Sequence, residues 1–200
     1  ELWERLWRGW YPEVVAGLTS EVASWQATYG QSYLERDVAS HRRLGEAAQF
    51  LRLLRLLALR SSQPLNLSSL ARPLGVAVNT VKAWLGVLEV TGQVMLLHPY
   101  PAPSYRRMAK TPRVYLTDVG RLCHLAGVEN AEEAASGPLA RAIFETAVLA
   151  ELVKVFTHRG EEPRVFFWRT AAGEGVDFVL RAGGRLLPLE ARATLGPQAE

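Results

Sequence analysis

The stretch from Asn66 to Val90 constrains the fold most, because it predicts two short amphipathic helices around one turn. Apolar residues of the first helix recur at positions i, i+3, i+4 and i+7, namely Leu67, Leu70, Ala71 and Leu74. Ser68 is its predicted N-cap, and Gly75 supplies the backbone freedom for the turn. The second helix begins near Val78 and has three inward-facing residues, Val81, Leu85 and Leu88. This pattern is typical of a helix-turn-helix.

The outward face of the second predicted helix leaves two uses open. It offers few hydrogen-bond donors, chiefly Asn79, Thr80 and Lys82. Direct readout of DNA bases relies on Arg, Lys, Asn or Gln side chains that point away from the protein. A DNA-binding module and a compact helical linker domain therefore both fit this stretch.

Two apolar runs after the helices predict a β-hairpin, which would complete a winged helix. The predicted strands are Val94–Leu97 and Val114–Leu116, and the loop Pro99–Pro112 would form the wing. The loop and its border are basic, and basic loops favour phosphate contacts. The predicted nucleic-acid-binding residues are Asn79, Lys82, Arg106, Arg107, Lys110 and Arg113. A solvated basic loop, or one that contacts an acidic neighbouring domain, is the alternative.

The pattern around this unit predicts three segments. Residues 1–45 are interpreted as a helical lead-in from a preceding domain, and residues 46–128 as the winged-helix domain, whose last helix is capped by Asp118. A polar stretch of small residues, Glu129–Pro138, marks the predicted boundary. Residues 129–200 then read as one long helix followed by three short strands joined by Gly-containing turns, which predicts a meander packed on a helix.

Carboxylates in the last segment suggest a metal-dependent nuclease. Asp177 opens the second of these strands, Glu190 and Arg192 close the third on one face, and Glu145 lies on the preceding helix. An acid followed on the next strand by Glu-x-basic is typical of restriction-endonuclease-type sites, where Mg²⁺ activates water. The candidates are Asp177, Glu190 and Arg192 for catalysis and Asp177, Glu190 and Glu145 for metal binding. A structural Asp beside a Glu–Arg pair is the alternative.

The totals restrict the class of protein. The 200 residues have a net charge of +3, which permits a nucleic-acid partner without requiring one. A single cysteine excludes an internal disulfide and indicates a reducing cytoplasm. The sequence contains no apolar run long enough for a membrane span and no Gly-Lys-Ser/Thr of a P-loop. Because the chain opens on structured aromatic sequence without Met, a fragment of a longer protein is expected.

Segments along almost the whole chain resemble the region that follows the ATPase domain in prokaryotic AAA-type ATP-binding proteins, usually labelled a domain of unknown function. They are R-G-W-Y-P-E, S-Y-L-E-R-D-V, F-L-R-L-L-A-L-R-S-S-Q-P-L-N-L-S-S-L-A-R-P-L-G-V, T-V-K-A-W-L-G-V-L-E, K-T-P-R-V-Y-L-T-D-V-G, I-F-E-T-A-V-L-A-E-L-V-K, and F-W-R-T with G-V-D-F-V-L and L-P-L-E-A-R. The resemblance implies an α+β fold: an N-terminal helical and winged-helix domain, then an incomplete restriction-endonuclease-like α/β domain. It also implies an upstream domain that binds ATP.

Three residues depart from the pattern of that family. Pro73 lies inside the first helix of the helix-turn-helix, Gly175 replaces the usual Glu, and Arg192 replaces the usual Lys. The expected function is therefore binding of nucleic acid, such as duplex DNA, beside a degenerate nuclease-like domain. A protein-interaction module that couples the ATPase to a partner is one alternative. An active Mg²⁺-dependent nuclease is another.

Overall fold

The computed structural model describes residues 1–19, 21–33, 44–101, 110–170 and 172–193, and within them it has nine helices and five strands. The helices are α1 (Leu2–Arg8), α2 (Pro12–Val15), α3 (Val22–Tyr33), α4 (Leu44–Ala58), α5 (Leu67–Leu74), α6 (Val78–Val90), α7 (Val119–Ala126), α8 (Ala131–Ser136) and α9 (Ala140–Thr157). The strands are β1 (Val94–Leu97), β2 (Arg113–Leu116), β3 (Val165–Arg169), β4 (Gly175–Ala182) and β5 (Arg185–Leu189). This is the expected α+β composition.

Strand β2 is buried on both faces, because it lies between two hydrophobic cores. It pairs with β1 in antiparallel register, with Val94 opposite Leu116. Val114 and Leu116 enter the first core, whereas Tyr115 enters the second. Since side chains alternate along a strand, Arg113 lies on the same face as Tyr115. The strand therefore places a charged side chain in the buried second face, where Arg113 is only 5% exposed.

The two predicted amphipathic helices are present as α5 and α6, but the predicted cap of α5 is wrong. The side chain of Asn66, not that of Ser68, accepts a hydrogen bond from the backbone N–H of Ser69, at 3.0 Å. Asn66 has the extended backbone that an N-cap requires, whereas Ser68 already lies inside the helix. Gly75 ends α5 in the left-handed conformation, with φ 67°.

An arginine compensates for the proline inside α5. Pro73 has no N–H to donate to the carbonyl of Ser69 four residues earlier. Arg60, just after α4, donates from Nη2 to that carbonyl at 3.3 Å and from Nη1 to the Ser69 hydroxyl. Arg52 in turn donates to the Pro73 carbonyl at 3.2 Å. The two arginines therefore link α4 and the residues after it to α5, and α5 continues through Pro73.

The N-terminal segment packs in the first core. Leu6 of α1 is 2% exposed and packs in the first core. The chain then passes so close to α7 that a Cβ on Gly9, where φ is +88°, would lie 2.6 Å from Oδ1 of Asp118. Asp118 caps α7 by accepting from the Arg121 N–H and also accepts from the Trp10 N–H, both at 2.7 Å. The described part of the predicted lead-in, residues 1–45, therefore packs in the first core and against α7.

Helix α9 contributes residues to both cores, and the stretch predicted as a boundary, Glu129–Pro138, contains a packed helix. Within that stretch α8 buries Ala134 completely in the first core. Ile143 of α9 packs in the same core, whereas Leu149 further along the helix packs in the second. The second core also contains Phe167 and Phe178 of the three-stranded antiparallel sheet β3-β4-β5, which is the predicted meander.

Two other predictions differ in part from the structure. The predicted wing is not a free loop at its start, because the Tyr100 N–H donates to the Phe167 carbonyl at 2.7 Å, and residues 102–109 lie outside the described part of the chain. The third strand of the meander ends at Leu189, before Glu190. Helix α3 is described to Tyr33, and residues 34–43 lie outside the described part of the chain. None of the described helices combines the length and apolar character that crossing a bilayer requires.

The dual role of Asp118 predicts a larger loss of stability than an ordinary cap. Asp118→Ala removes an N-cap, worth about 1 kcal/mol, and also leaves the Trp10 N–H without its acceptor, for a total of about 2–3 kcal/mol. Asn130→Ala is the matched control, because Asn130 caps α8 on the surface through one bond to Glu133 N. We expect a loss of about 1 kcal/mol there in urea unfolding. Equal losses would contradict the role assigned to Trp10.

Candidate functional site

Four charged side chains meet where β2, α9 and β4 come together. Arg113 of β2 has Nη1 at 3.9 Å from Glu145 Oε2 and at 3.9 Å from Asp177 Oδ1. Arg141 of α9 donates from Nε to Glu145 Oε1 at 2.5 Å and from Nη2 to Asp177 Oδ1 at 3.1 Å. Each carboxylate is therefore bridged by both arginines. We call these four residues the arginine–carboxylate cluster.

The cluster is buried on one side and open on the other. Glu145 is 1% and Asp177 6% exposed, whereas the Arg141 side chain is 68% exposed. Arg113 also stacks its guanidinium 4.9 Å from the centre of the Phe167 ring. Burial of a carboxylate is costly unless it is paired. Here two arginines pair with two carboxylates, so the cluster has no net charge.

The cluster perturbs the groups around it. The pKa of Arg141 is raised, first by its hydrogen bond to Glu145 and then by the charge of that carboxylate. Burial raises the pKa of the Tyr115 phenol, and the neighbouring Glu145 raises it further. The Tyr115 hydroxyl lies 3.5 Å from Glu145 Oε2, as a donor. Tyr115 therefore stays protonated and adds a neutral donor to the carboxylate.

The three carboxylates predicted to bind metal do not come together. Glu190 lies beyond the end of β5 and pairs with Arg192, whose Nη2 is 2.6 Å from Glu190 Oε2. The second oxygen of Asp177 accepts the Ala191 N–H at 3.2 Å. Among the described residues no group of three or more His, Cys, Asp or Glu side chains is placed to hold a metal ion. The oxygens that Mg²⁺ would need are engaged by arginines and a backbone amide, so these residues do not fit the ion.

Two cavities flank Arg141 and are lined by basic side chains. The larger, of about 550 Å³, contains Arg141, Arg169, Arg192, Asp177 and Glu190 among its walls, and we call it the arginine groove. The smaller, of about 330 Å³, shares Arg141 and Arg169 and adds Lys110. The predicted catalytic residues Asp177, Glu190 and Arg192 thus do line one groove, although the acids in it are paired with arginines.

The structure explains why residue 175 is a glycine. The pairing of β3 with β4 shifts register between Phe166 and Trp168. A Cβ at Gly175 would lie 2.2 Å from the Trp168 carbonyl oxygen. The Glu that the resembling family has here would therefore clash with this backbone. The pairing of β3 with β4 thus requires a glycine at position 175.

The predicted nucleic-acid-binding residues fall into three groups. Asn79 and Lys82 are exposed on α6, and Lys110 is exposed beside β2. Arg106 and Arg107 lie outside the described residues. Arg113 is buried in the arginine–carboxylate cluster, so the prediction that it contacts phosphate is corrected: its charge is directed to Glu145 and Asp177.

Sequence reasoning missed two residues of this site, Arg141 and Arg169. Arg141 and Glu145 stand four positions apart on a predicted helix, a spacing that indicates an ion pair. That signal was available but does not reveal the second partner, Asp177, which is 36 residues away. Arg169 ends β3, and only the register of β3 with β4 brings it beside Gly175.

Removal of either arginine tests how the cluster is buried. Arg113→Ala leaves two carboxylates short of a buried partner and removes the contact with Phe167, so we expect a loss of about 3–5 kcal/mol in unfolding free energy. Arg141→Ala is the matched control, because Arg141 pairs with the same acids at an open edge where water can replace it. We expect a loss of about 1–2 kcal/mol there. A greater loss for Arg141→Ala than for Arg113→Ala would contradict this description.

Two family models match this chain, and similar proteins are known from two mycobacteria. Residues 140–199 match the family described as Domain of unknown function (DUF4143), which is typically found in AAA-ATPase-associated proteins. Similar proteins are "Uncharacterized protein Rv2008c" of Mycobacterium tuberculosis (strain ATCC 25618 / H37Rv) and "Uncharacterized protein Mb2031c" of Mycobacterium bovis (strain ATCC BAA-935 / AF2122/97). Each is 29% identical over 196 residues, which are 97% of this chain and 44% of the relative.

The chain therefore spans less than half the length of these two relatives. No solved structure matches it. Residues 1–132, well over half of the chain, match the family described as Domain of unknown function (DUF8612). The protein belongs to the DUF8612 family.

Proposed function

We propose that this chain is the non-ATPase part of an AAA-type ATP-binding protein, and that it binds nucleic acid through a winged helix formed by α4, α5, α6, β1 and β2. In this proposal the C-terminal unit, residues 129–200, is a degenerate nuclease-like domain. The observation that carries the proposal is the exposed polar face of α6 within the most basic part of the chain.

The charge of the chain is concentrated in the proposed winged helix. Residues 44–116 contain nine Lys or Arg against two acidic residues, Glu46 and Glu89, whereas the whole chain contains 23 against 20. The rest of the chain therefore has 14 basic against 18 acidic residues. Arg113 must be discounted because it is buried. The remaining excess still supports attraction to phosphates, since nonspecific binding depends mainly on such charges.

The exposed face of α6 has small residues beside its two donors, which permits close approach to a duplex. Asn79, Lys82, Ala83 and Gly86 follow helical spacing, and a Cβ added at Gly86 would meet no atom within 4 Å. Asn79 and Lys82 are the only strong donors on that face. Few donors to base edges favour contacts to the phosphate backbone, so binding should be weak and tolerant of sequence.

Two alternatives are weighed against this proposal. An active Mg²⁺-dependent nuclease is disfavoured, because Glu145 and Asp177 are each engaged by Arg141 and Glu190 is paired with Arg192. A protein-interaction module that couples the ATPase to a partner would use the same exposed helix. Dependence on salt separates it from DNA binding, because phosphate contacts release counterions.

Reversal of one charge on α6 tests the proposal. Fluorescence anisotropy with labelled duplex DNA should show binding at low salt that weakens steeply as salt rises. In Lys82→Glu we expect affinity to fall about ten-fold or more, similarly for unrelated DNA sequences, and the slope of log affinity against log salt to decrease by about 1.

Arg159→Glu is the matched control, since Arg159 is an exposed residue beyond the end of α9 and the net charge changes equally. It should leave the affinity close to that of the wild type. If both variants weakened binding equally, the cause would be the overall charge of the chain, which would contradict the role of α6. Absence of binding at low salt would favour the protein-interaction module.

A further inference from the structure

We infer that the arginine groove is a phosphate-binding site that works without a divalent metal, with Arg141 bridging Glu145 and Asp177. The inference rests on the proposed degenerate state of the C-terminal unit. The ligand class is a phosphate group, of a nucleic-acid backbone or of a nucleotide.

Arg141 is held in place as a donor before any ligand binds. One carboxylate accepts from its Nε and the other from its Nη2. A guanidinium has five N–H donors, so three of them take no part in these two bonds. The side chain is 68% exposed and lines the arginine groove. A guanidinium that is already oriented loses less freedom when it binds a phosphate, and its planar fork matches phosphate oxygens.

Arg169 and Arg192 add two further cationic groups to the same groove. Arg192 is 73% exposed in its side chain and is oriented by two hydrogen bonds from Nε and Nη2 to one oxygen of Glu190. Arg169 has a buried Nε–H for which the described part of the chain provides no acceptor. A buried donor without a partner is costly, so an oxyanion placed beside Arg169 would satisfy it.

The charges and the shape of the arginine groove favour an anion over a cation. Arg141, Arg169 and Arg192 line the groove against Asp177 and Glu190, whereas Arg113, Lys110 and Glu145 line the adjoining cavity. Both buried acids are already paired. The volume of the groove, about 550 Å³, leaves room for a phosphate group beside its guanidinium groups.

Isothermal titration with pyrophosphate tests the inference on the whole chain, after removal of metals with a chelating resin. We expect binding in metal-free buffer that contains EDTA, and no stronger binding when Mg²⁺ is supplied in place of the EDTA. Arg192→Gln should weaken binding about ten-fold, as expected for the loss of a charge-assisted hydrogen bond. Arg169→Gln should weaken it to a similar extent.

Arg185→Gln is the matched control, because Arg185 is an exposed arginine at the start of β5 on the same sheet and does not line the groove. It should bind pyrophosphate as the wild type does. Absence of binding, a requirement for Mg²⁺, or an equal loss in Arg185→Gln and Arg192→Gln would overturn the inference. Since pyrophosphate does not need the face of α6, this outcome is independent of the Lys82→Glu experiment.

Competition then separates the two sources of the phosphate group. Displacement of pyrophosphate by single-stranded oligodeoxythymidine, and not by ATP, would identify a nucleic-acid backbone as the ligand. Displacement by ATP alone would identify a nucleotide. If neither displaced bound pyrophosphate, the inference that the groove binds the phosphates of nucleic acids or nucleotides would be overturned.

Discussion

The pairing of buried Arg113 is the interaction on which the rest of the structure depends. Strand β2 is covered on both faces, and alternation along it sends Val114 and Leu116 into one core and Arg113 and Tyr115 into the other. A guanidinium cannot lose its charge when it is buried. It therefore needs carboxylates from the elements that cover it, and α9 and β4 supply Glu145 and Asp177.

That requirement determines how the two parts of the chain are joined. Once Glu145 and Asp177 are buried beside a single arginine, they carry one negative charge too many, and Arg141 restores neutrality from the open edge. The second oxygen of Asp177 is used to hold the backbone of Ala191 after β5 has ended. Replacement of one member leaves a buried charge unpaired, which is why such clusters are costly to break even where their net contribution to stability is small.

Local structure followed from the sequence more fully than the site did. Helical spacing located α5, α6 and α9 to within about two residues, and Asp118 was correctly predicted to cap α7. Residue type alone does not distinguish Ser68 from Asn66 as the N-cap of α5. The extended backbone of Asn66 makes it the cap. The stretch predicted as a boundary, Glu129–Pro138, contains helix α8, which the sequence analysis did not predict. Small residues such as Ala134 are equally suited to a loop and to close packing.

Residue types alone predict a metal site at these carboxylates. In the structure, the carboxylates pair with arginines. Asp177 and Glu145 do converge, but the sequence does not show that Arg113 of a predicted wing and Arg141 of a distant helix reach them first. Gly175 and Arg192 were recognised as departures. The clash of a Cβ at Gly175 with the Trp168 carbonyl makes the first of them a property of the β3–β4 register.

Glu145 and Asp177 bind arginines in place of a divalent ion. Electron paramagnetic resonance tests this pairing, because the signal of free aqueous Mn²⁺ disappears when the ion is bound by a protein. We expect an equimolar amount of the wild-type chain to leave the Mn²⁺ signal unchanged. Binding of one equivalent of Mn²⁺ by the wild type, lost in Asp177→Ala, would contradict it.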